Sequence, residues 1–168
     1  MIEVYISGLA YDTLSNAPVV LLKERDGDRI LPIWIGPNEA GAIALELSGM
    51  KYRRPLTHDL MKSVINGLNA VLQKVVVSAL KDSTFYAKFY ILASKNEIIE
   101  IDARPSDSIA MAMKFKAPIY ISDELENSFI ELTMTSEDTG VDSDAISPMD
   151  LKKRLRNIKP EDFGDFNL

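Results

Sequence analysis

The sequence predicts one α+β domain: a mostly antiparallel β-meander sheet packed with three to four helices, then an acidic linker and a short C-terminal helix. Three observations carry that prediction. Short segments with period-two apolar alternation are separated by turns rich in Asp, Asn and Gly. The pattern switches to a helical period at three places, opened by Pro37, Thr57 and Pro105. No long Gly-, Pro- or Ser-rich linker divides the chain before residue 133. The domain is expected over residues 1–132, the linker over 133–147 and the helical extension over 148–168.

At the N-terminus, Ile2, Val4 and Ile6 alternate with Glu3, Tyr5 and Ser7, the pattern of a half-buried strand. A turn over Asp12–Asn16 leads into a second strand, Pro18–Lys23. Asp26-Gly27-Asp28 is a compact hairpin signal that returns the chain through Ile30–Ile35. The period then changes. Pro37 suits the first turn of a helix, where its missing N–H leaves no bond unmade. Ala40, Ile43, Ala44 and Leu47 follow as one buried face, and Gly49 is the expected C-cap.

Lys51-Tyr52-Arg53-Arg54-Pro55 is a polar, basic link. Thr57 is expected to cap the second helix, with Leu56 and Met61 as a hydrophobic staple and Met61, Val64, Ile65 and Leu68 as the buried stripe. Two strands follow, Lys74–Lys81 and Phe85–Ala93, joined by a turn at Asp82-Ser83. Val75, Val77 and Ala79 share a face of the first; Phe85, Ala87, Phe89 and Ile91 share a face of the second. Lys95-Asn96-Glu97 turns the chain into Ile98–Asp102. Pro105 or Ser106 opens a third helix with Ile109, Ala112 and Met113 inside. Pro118–Ser122 reads as a short buried strand, and Asp123–Leu132 as one more helix. Beyond the linker, Ser147-Pro148-Met149-Asp150 caps a basic amphipathic helix whose thin apolar face is Leu151, Leu155 and Ile158.

At 168 residues, with 46% apolar and 26% charged residues, the chain is long enough to close a full core. It has no cysteine, which excludes disulfides, thiolate nucleophiles and cysteine-ligated metal sites. The N-terminal segment is acidic and strand-like rather than a signal peptide, and no apolar stretch approaches the roughly 20 residues of a membrane-spanning helix. A cytoplasmic protein without membrane partners is expected. The net charge of −6 excludes nucleic-acid binding by a broad basic surface, but not an acidic catalytic centre with a local basic patch.

Three charge clusters sit at element boundaries. Glu39 opens the first helix, where a carboxylate also suits the helix dipole. Arg53, Arg54, His58 and Asp59 fall within seven residues. The arginines suit phosphate oxygens, His58 a proton transfer and Asp59 a metal; a solvated loop and a dipole-satisfying carboxylate explain the same residues. Asp102, Arg104, Asp107 and Ser108 surround a strand-to-helix corner whose free N–H groups attract anions. Asp102 and Asp107 suit a shared divalent cation, or an ion pair with Arg104 that locks the corner. No phosphate-binding glycine loop, dinucleotide fingerprint, zinc helix or nucleophile elbow is present.

Three ordered motifs carry a family resemblance: Leu31-Pro32-Ile33-Trp34-Ile35-Gly36-Pro37-Asn38-Glu39-Ala40, Arg54-Pro55-Leu56-Thr57-His58-Asp59-Leu60, and Ile101-Asp102-Ala103-Arg104-Pro105-Ser106-Asp107-Ser108-Ile109-Ala110. Over about residues 1–130 the chain resembles the bifunctional nuclease domain, named for members that cut both DNA and RNA. The resemblance implies a divalent-metal phosphodiesterase acting on RNA and DNA. In it, Glu39, Asp102 and Asp107 would hold Mg²⁺ or Mn²⁺. Arg53, Arg54, Arg104 and Ser108 would bind substrate phosphate, and His58, Asp59 and Asp107 would act in catalysis. The alternative is a non-catalytic, homo-oligomeric regulatory module that binds a small anion or a protein. A homodimer is the expectation for either.

Overall fold

The structure, a computed structural model, describes residues 1–94 and 96–131; the expected linker and C-terminal helix lie outside the described residues. The strands are β1 (Ile2–Asp12), β2 (Ala17–Glu24), β3 (Arg29–Trp34), β4 (Val71–Lys81), β5 (Thr84–Leu92), β6 (Ile98–Ala103), β7 (Ile119–Ile121) and β8 (Ile130–Glu131). The helices are α1 (Pro37–Ser48), α2 (Thr57–Gly67) and α3 (Pro105–Phe115), with a 3₁₀ turn over Asp123–Ser128. The fold is α+β, as the patterning predicts.

The strands form one sheet in the order β6-β5-β4-β7-β1-β2-β3-β8. It consists of two three-stranded meanders, β1–β3 and β4–β6, joined edge to edge by β7. That strand pairs antiparallel with β1 (Val4↔Ile119) and parallel with β4 (Val75↔Ile119). The parallel pair is the single departure from antiparallel order in the described sheet. A turn with Asn16 at φ 54° links β1 to β2, and the hairpin between β4 and β5 places Asp82 and Ser83 at φ 48° and 58°.

The core lies between one sheet face and the helices. Val20, Leu22, Leu31, Ile33, Val75, Val77, Ala87 and Phe89 from the strands meet Ile43 of α1 and Ile109, Met111 and Ala112 of α3. α3 buries seven of its residues and is the central helix. Ala10, Val19, Leu21 and Ile30 form a smaller cluster on the opposite face of β1–β3, so β2 reads as a continuous apolar run rather than an alternating one.

Several expectations are corrected. Leu47 of α1 is 48% exposed; the buried residues of that helix are Ala40, Gly41 and Ile43. Val64 and Leu68 are 53% and 70% exposed. α2 lies at the rim of the helical layer, touching α3 and β4, and only Met61 and Ile65 reach the core. Thr57 is the first helical residue of α2 rather than its cap; the backbone N–H of Leu56 is satisfied instead by the Asp59 carboxylate, at 3.0 Å. A register shift between Val77 and Ala79 takes Ala79 off the buried face of β4. The expected last helix is the 3₁₀ turn, followed by β8 on β3. No described helix is long and apolar enough to cross a membrane.

Candidate functional site

The three sequence clusters converge because three helices begin at the same place. α3 starts directly after β6: Arg104 is still extended (φ −68°, ψ 146°) and Pro105 occupies the first helical position. This sharp corner puts Arg104 and Asp107 one turn apart, and the guanidinium grips the carboxylate with two bonds, Nε to Oδ2 at 2.8 Å and Nη2 to Oδ1 at 3.3 Å. Nη1 of Arg104 reaches across to Glu39 Oε1 of α1 at 2.7 Å. From α2, His58 Nε2 lies 3.4 Å from Asp107 Oδ1. The result is a continuous polar chain, Glu39–Arg104–Asp107–His58.

Local backbone choices hold its members. The Glu39 carboxylate folds back over its helix cap, so that a Cβ on Gly36 would lie 2.3 Å from Glu39 Oε2 and would displace the end of that side chain. Asp59 caps α2 through Leu56 N–H and receives Lys114 Nζ at 2.5 Å on its other oxygen. Lys114, in the last turn of α3, also binds Glu46 Oε2 of α1 at 2.7 Å. One ammonium therefore ties α1, α2 and α3 together just behind His58.

Charge balance at the site follows from these contacts. Partial burial pushes the Asp107 carboxyl up, but Arg104, helped by His58, outweighs it and holds the group below the ordinary aspartate value of 3.8. The Lys114 ammonium lowers Asp59 against partial burial, with help from the Leu56 N–H. A depressed carboxyl contributes stability that is present above 3.8 and is lost as pH falls through its folded value. The urea unfolding midpoint is therefore expected to fall steeply once pH drops below about 3.8. A midpoint insensitive to acid would contradict the paired state of both aspartates.

Beside the chain runs an open groove of about 2250 Å³, larger than the ≈300–1,000 Å³ of a pocket that encloses a drug-sized ligand. His58, Glu39, Arg104 and Asp107 border it, as do Lys51, Tyr52 and Arg53 of the α1–α2 link and Tyr86 and Ile101 of the sheet. Lys51 and Arg53 form no ion pair among the described residues, and the N-terminal turns of all three helices meet here.

Not every candidate reaches this point. Arg54 is exposed and outside the groove lining. Ser108 is fully buried on the core side of α3, and its Oγ has no hydrogen-bond partner among the described residues. Asp102 borders the groove from β6, but it stands in register with Lys88, on the opposite sheet face from Ala103 and Ile101. Asp59 is engaged by Leu56 and Lys114 rather than by the chain. Glu39 and Asp107 are thus the expected metal carboxylates that come together, and the Arg104 guanidinium fills the space between them. Among the described residues no group of three or more His, Asp or Glu side chains is arranged to hold an ion. As arranged, the residues do not fit Mg²⁺ or Mn²⁺. Lys114 is the residue of this region that the sequence clusters leave out. The signal for Lys114 is its spacing, seven residues after Asp107 and so on the same side of α3.

Comparison with known proteins extends this picture. The sequence model described as the bifunctional nuclease domain matches residues 20–130, a span that contains Glu39, His58, Arg104 and Asp107. An uncharacterized protein of Mycobacterium tuberculosis is 40% identical over 165 residues, 96% of this chain and 97% of that protein. Bifunctional nuclease 1 of rice is 23% identical over 137 residues, 79% of this chain but 41% of the longer plant protein. Bifunctional nuclease 2 of Arabidopsis thaliana is 24% identical over 112 residues, 65% of this chain and 34% of its own.

Proposed function

The chain belongs to the bifunctional nuclease domain family, and from that premise we propose that it hydrolyses phosphodiester bonds of RNA and DNA at the Glu39–Arg104–Asp107–His58 chain. The observation that carries the proposal is the convergence itself: residues from three separate sequence motifs join in one hydrogen-bonded line along an open groove.

Each member has a chemical role. In the tautomer that donates Nε2–H to Asp107, 3.4 Å away, His58 keeps the Nδ1 lone pair as the acceptor for a proton from attacking water. Asp107 fixes that tautomer and stabilises the imidazolium that forms. As the P–O bond breaks, the imidazolium returns the proton to the leaving oxygen. Arg104 uses three of its five N–H donors on Glu39 and Asp107, which leaves two for a phosphate oxygen. Lys51 and Arg53, on the groove wall, supply further positive charge for the flanking backbone. The groove lining as a whole balances five basic side chains against five acidic ones, so phosphate binding falls to the exposed Lys51, Arg53 and Arg104 rather than to a net positive field.

The test is cleavage of labelled single-stranded RNA and DNA by the purified full chain with Mn²⁺, with Mg²⁺ and with EDTA. Cleavage supports the proposal, and its dependence on metal decides whether Arg104 must yield its place between the carboxylates. A second reading, a non-catalytic module that binds an anion or a protein, draws on one observation: Arg104 already pairs with both carboxylates of the site. Phosphate binding without cleavage would favour it.

A further inference from the structure

α2 is the least covered of the described helices: none of its residues is buried. Met61 and Ile65 rest on the core from one side. Leu60, Val64 and Leu68, four residues apart, line a second face and are 57%, 53% and 70% exposed. Leu56 and Val71, just before and after the helix, are 39% and 46% exposed. This outer face carries no charge. The two charged residues of α2 point elsewhere: Asp59 to Lys114, and Lys62 to the Lys114 carbonyl and over the Phe115 ring at 5.4 Å. None of Leu60, Val64 and Leu68 borders the groove.

We propose that this face is the interface between two copies of the chain, with their α2 helices antiparallel about a two-fold axis at Val64. The sequence of the face is self-complementary under that operation. Leu60 of one copy meets Leu68 of the other, Val64 meets Val64, and Ser63 and Gly67 leave room for close approach. Lys62 comes level with Asn66 and Asp59 with Asn69, so the axis brings no like charges together. The antiparallel arrangement also sets the helix dipoles head to tail. Leu56 borders the groove, which leaves four half-exposed apolar side chains on this face; at on the order of 100 Å² each they give roughly 400 Å² per copy, the size of a weak, transient interface. The dimer is therefore expected to dissociate on dilution.

The experiment is sedimentation velocity of the full chain over a concentration series, for the wild type, Val64→Glu, Val64→Lys and an equimolar mixture of the two variants. Because Val64 is half exposed in the protomer, far-UV circular dichroism of both variants should match the wild type. The wild type is expected to reach twice the protomer mass as concentration rises. Each variant alone should stay at protomer mass, since like charges meet at the axis. The mixture should recover the dimer, because glutamate then faces lysine. A wild type that stays monomeric at every concentration overturns the proposal, and so does a dimer untouched by Val64→Glu. A mixture that stays monomeric refutes the placement of Val64 on the axis.

Discussion

His58→Ala lowers phosphodiester cleavage by about 10²–10⁴-fold, the range that a positioned acid–base group contributes. His58 is the chain's only histidine, so no neighbouring imidazole takes over. Its side chain is 16% exposed at the start of α2, and among the described residues its polar contact is Asp107 at 3.4 Å. Removing it takes away the proton acceptor together with a mostly buried ring, so His58→Gln, which keeps much of that volume, is the companion variant. The loss should appear in kcat more than in KM, and it should exceed any fall in the urea unfolding midpoint. A variant that cleaves at the wild-type rate would remove His58 from the chemistry and leave Arg104 as the functional group of the corner.

Lys114→Met has the largest expected effect on the scaffold. Lys114 is 17% exposed and bridges Glu46 and Asp59. Burial alone would lower its pKa, but the two carboxylates outweigh that and hold it above the ordinary 10.5. Its contribution to stability is therefore fully present below pH 10.5 and is lost only above the raised value. Methionine keeps the stem and deletes the charge, leaving two carboxylates facing each other. The cost is expected to be about 2 kcal/mol. That lies between the 0–1 kcal/mol of exposed pairs and the 3–5 kcal/mol of breaking a buried one. Urea unfolding at neutral pH measures it. The lone histidine gives a second readout: its NMR signals should shift toward those of a solvent-exposed imidazole as α2 loosens and His58 parts from Asp107. An unchanged midpoint and unchanged His58 signals would show that α2 is held by Met61 and Ile65 alone.

What the sequence revealed of this architecture depended on the range of the interaction involved. Pro37, Gly49 and Pro105 fix helix ends by local backbone chemistry, and each stands where its chemistry placed it. The two meanders follow from alternation and tight turns. β7 was visible as a buried segment. Its insertion between β1 and β4 was not, because three-residue pairing across the whole sheet leaves no local trace. The site was legible as three clusters at element boundaries, from which Glu39, His58, Arg104 and Asp107 meet. Asp102 and Ser108 were harder. Which way they point depends on the register of β6 on β5 and on which side of α3 faces the core. Asp59 looked catalytic by proximity to His58, yet its helix position assigns it to the cap and to Lys114. Val64 and Leu68 share apolar character with Met61 and Ile65, so composition alone gave α2 one wide stripe. Packing splits it into an inner and an outer face.

The most direct test of the central claim is cleavage of labelled single-stranded RNA and DNA by the wild-type chain and by Asp107→Asn, purified identically and run side by side. Asparagine keeps the shape at residue 107 but removes the charge that binds Arg104 and orients His58. The account predicts cleavage by the wild type and a loss of about 10²-fold or more in the variant. Equal cleavage by both proteins would contradict a hydrolytic centre at the Glu39–Arg104–Asp107–His58 chain.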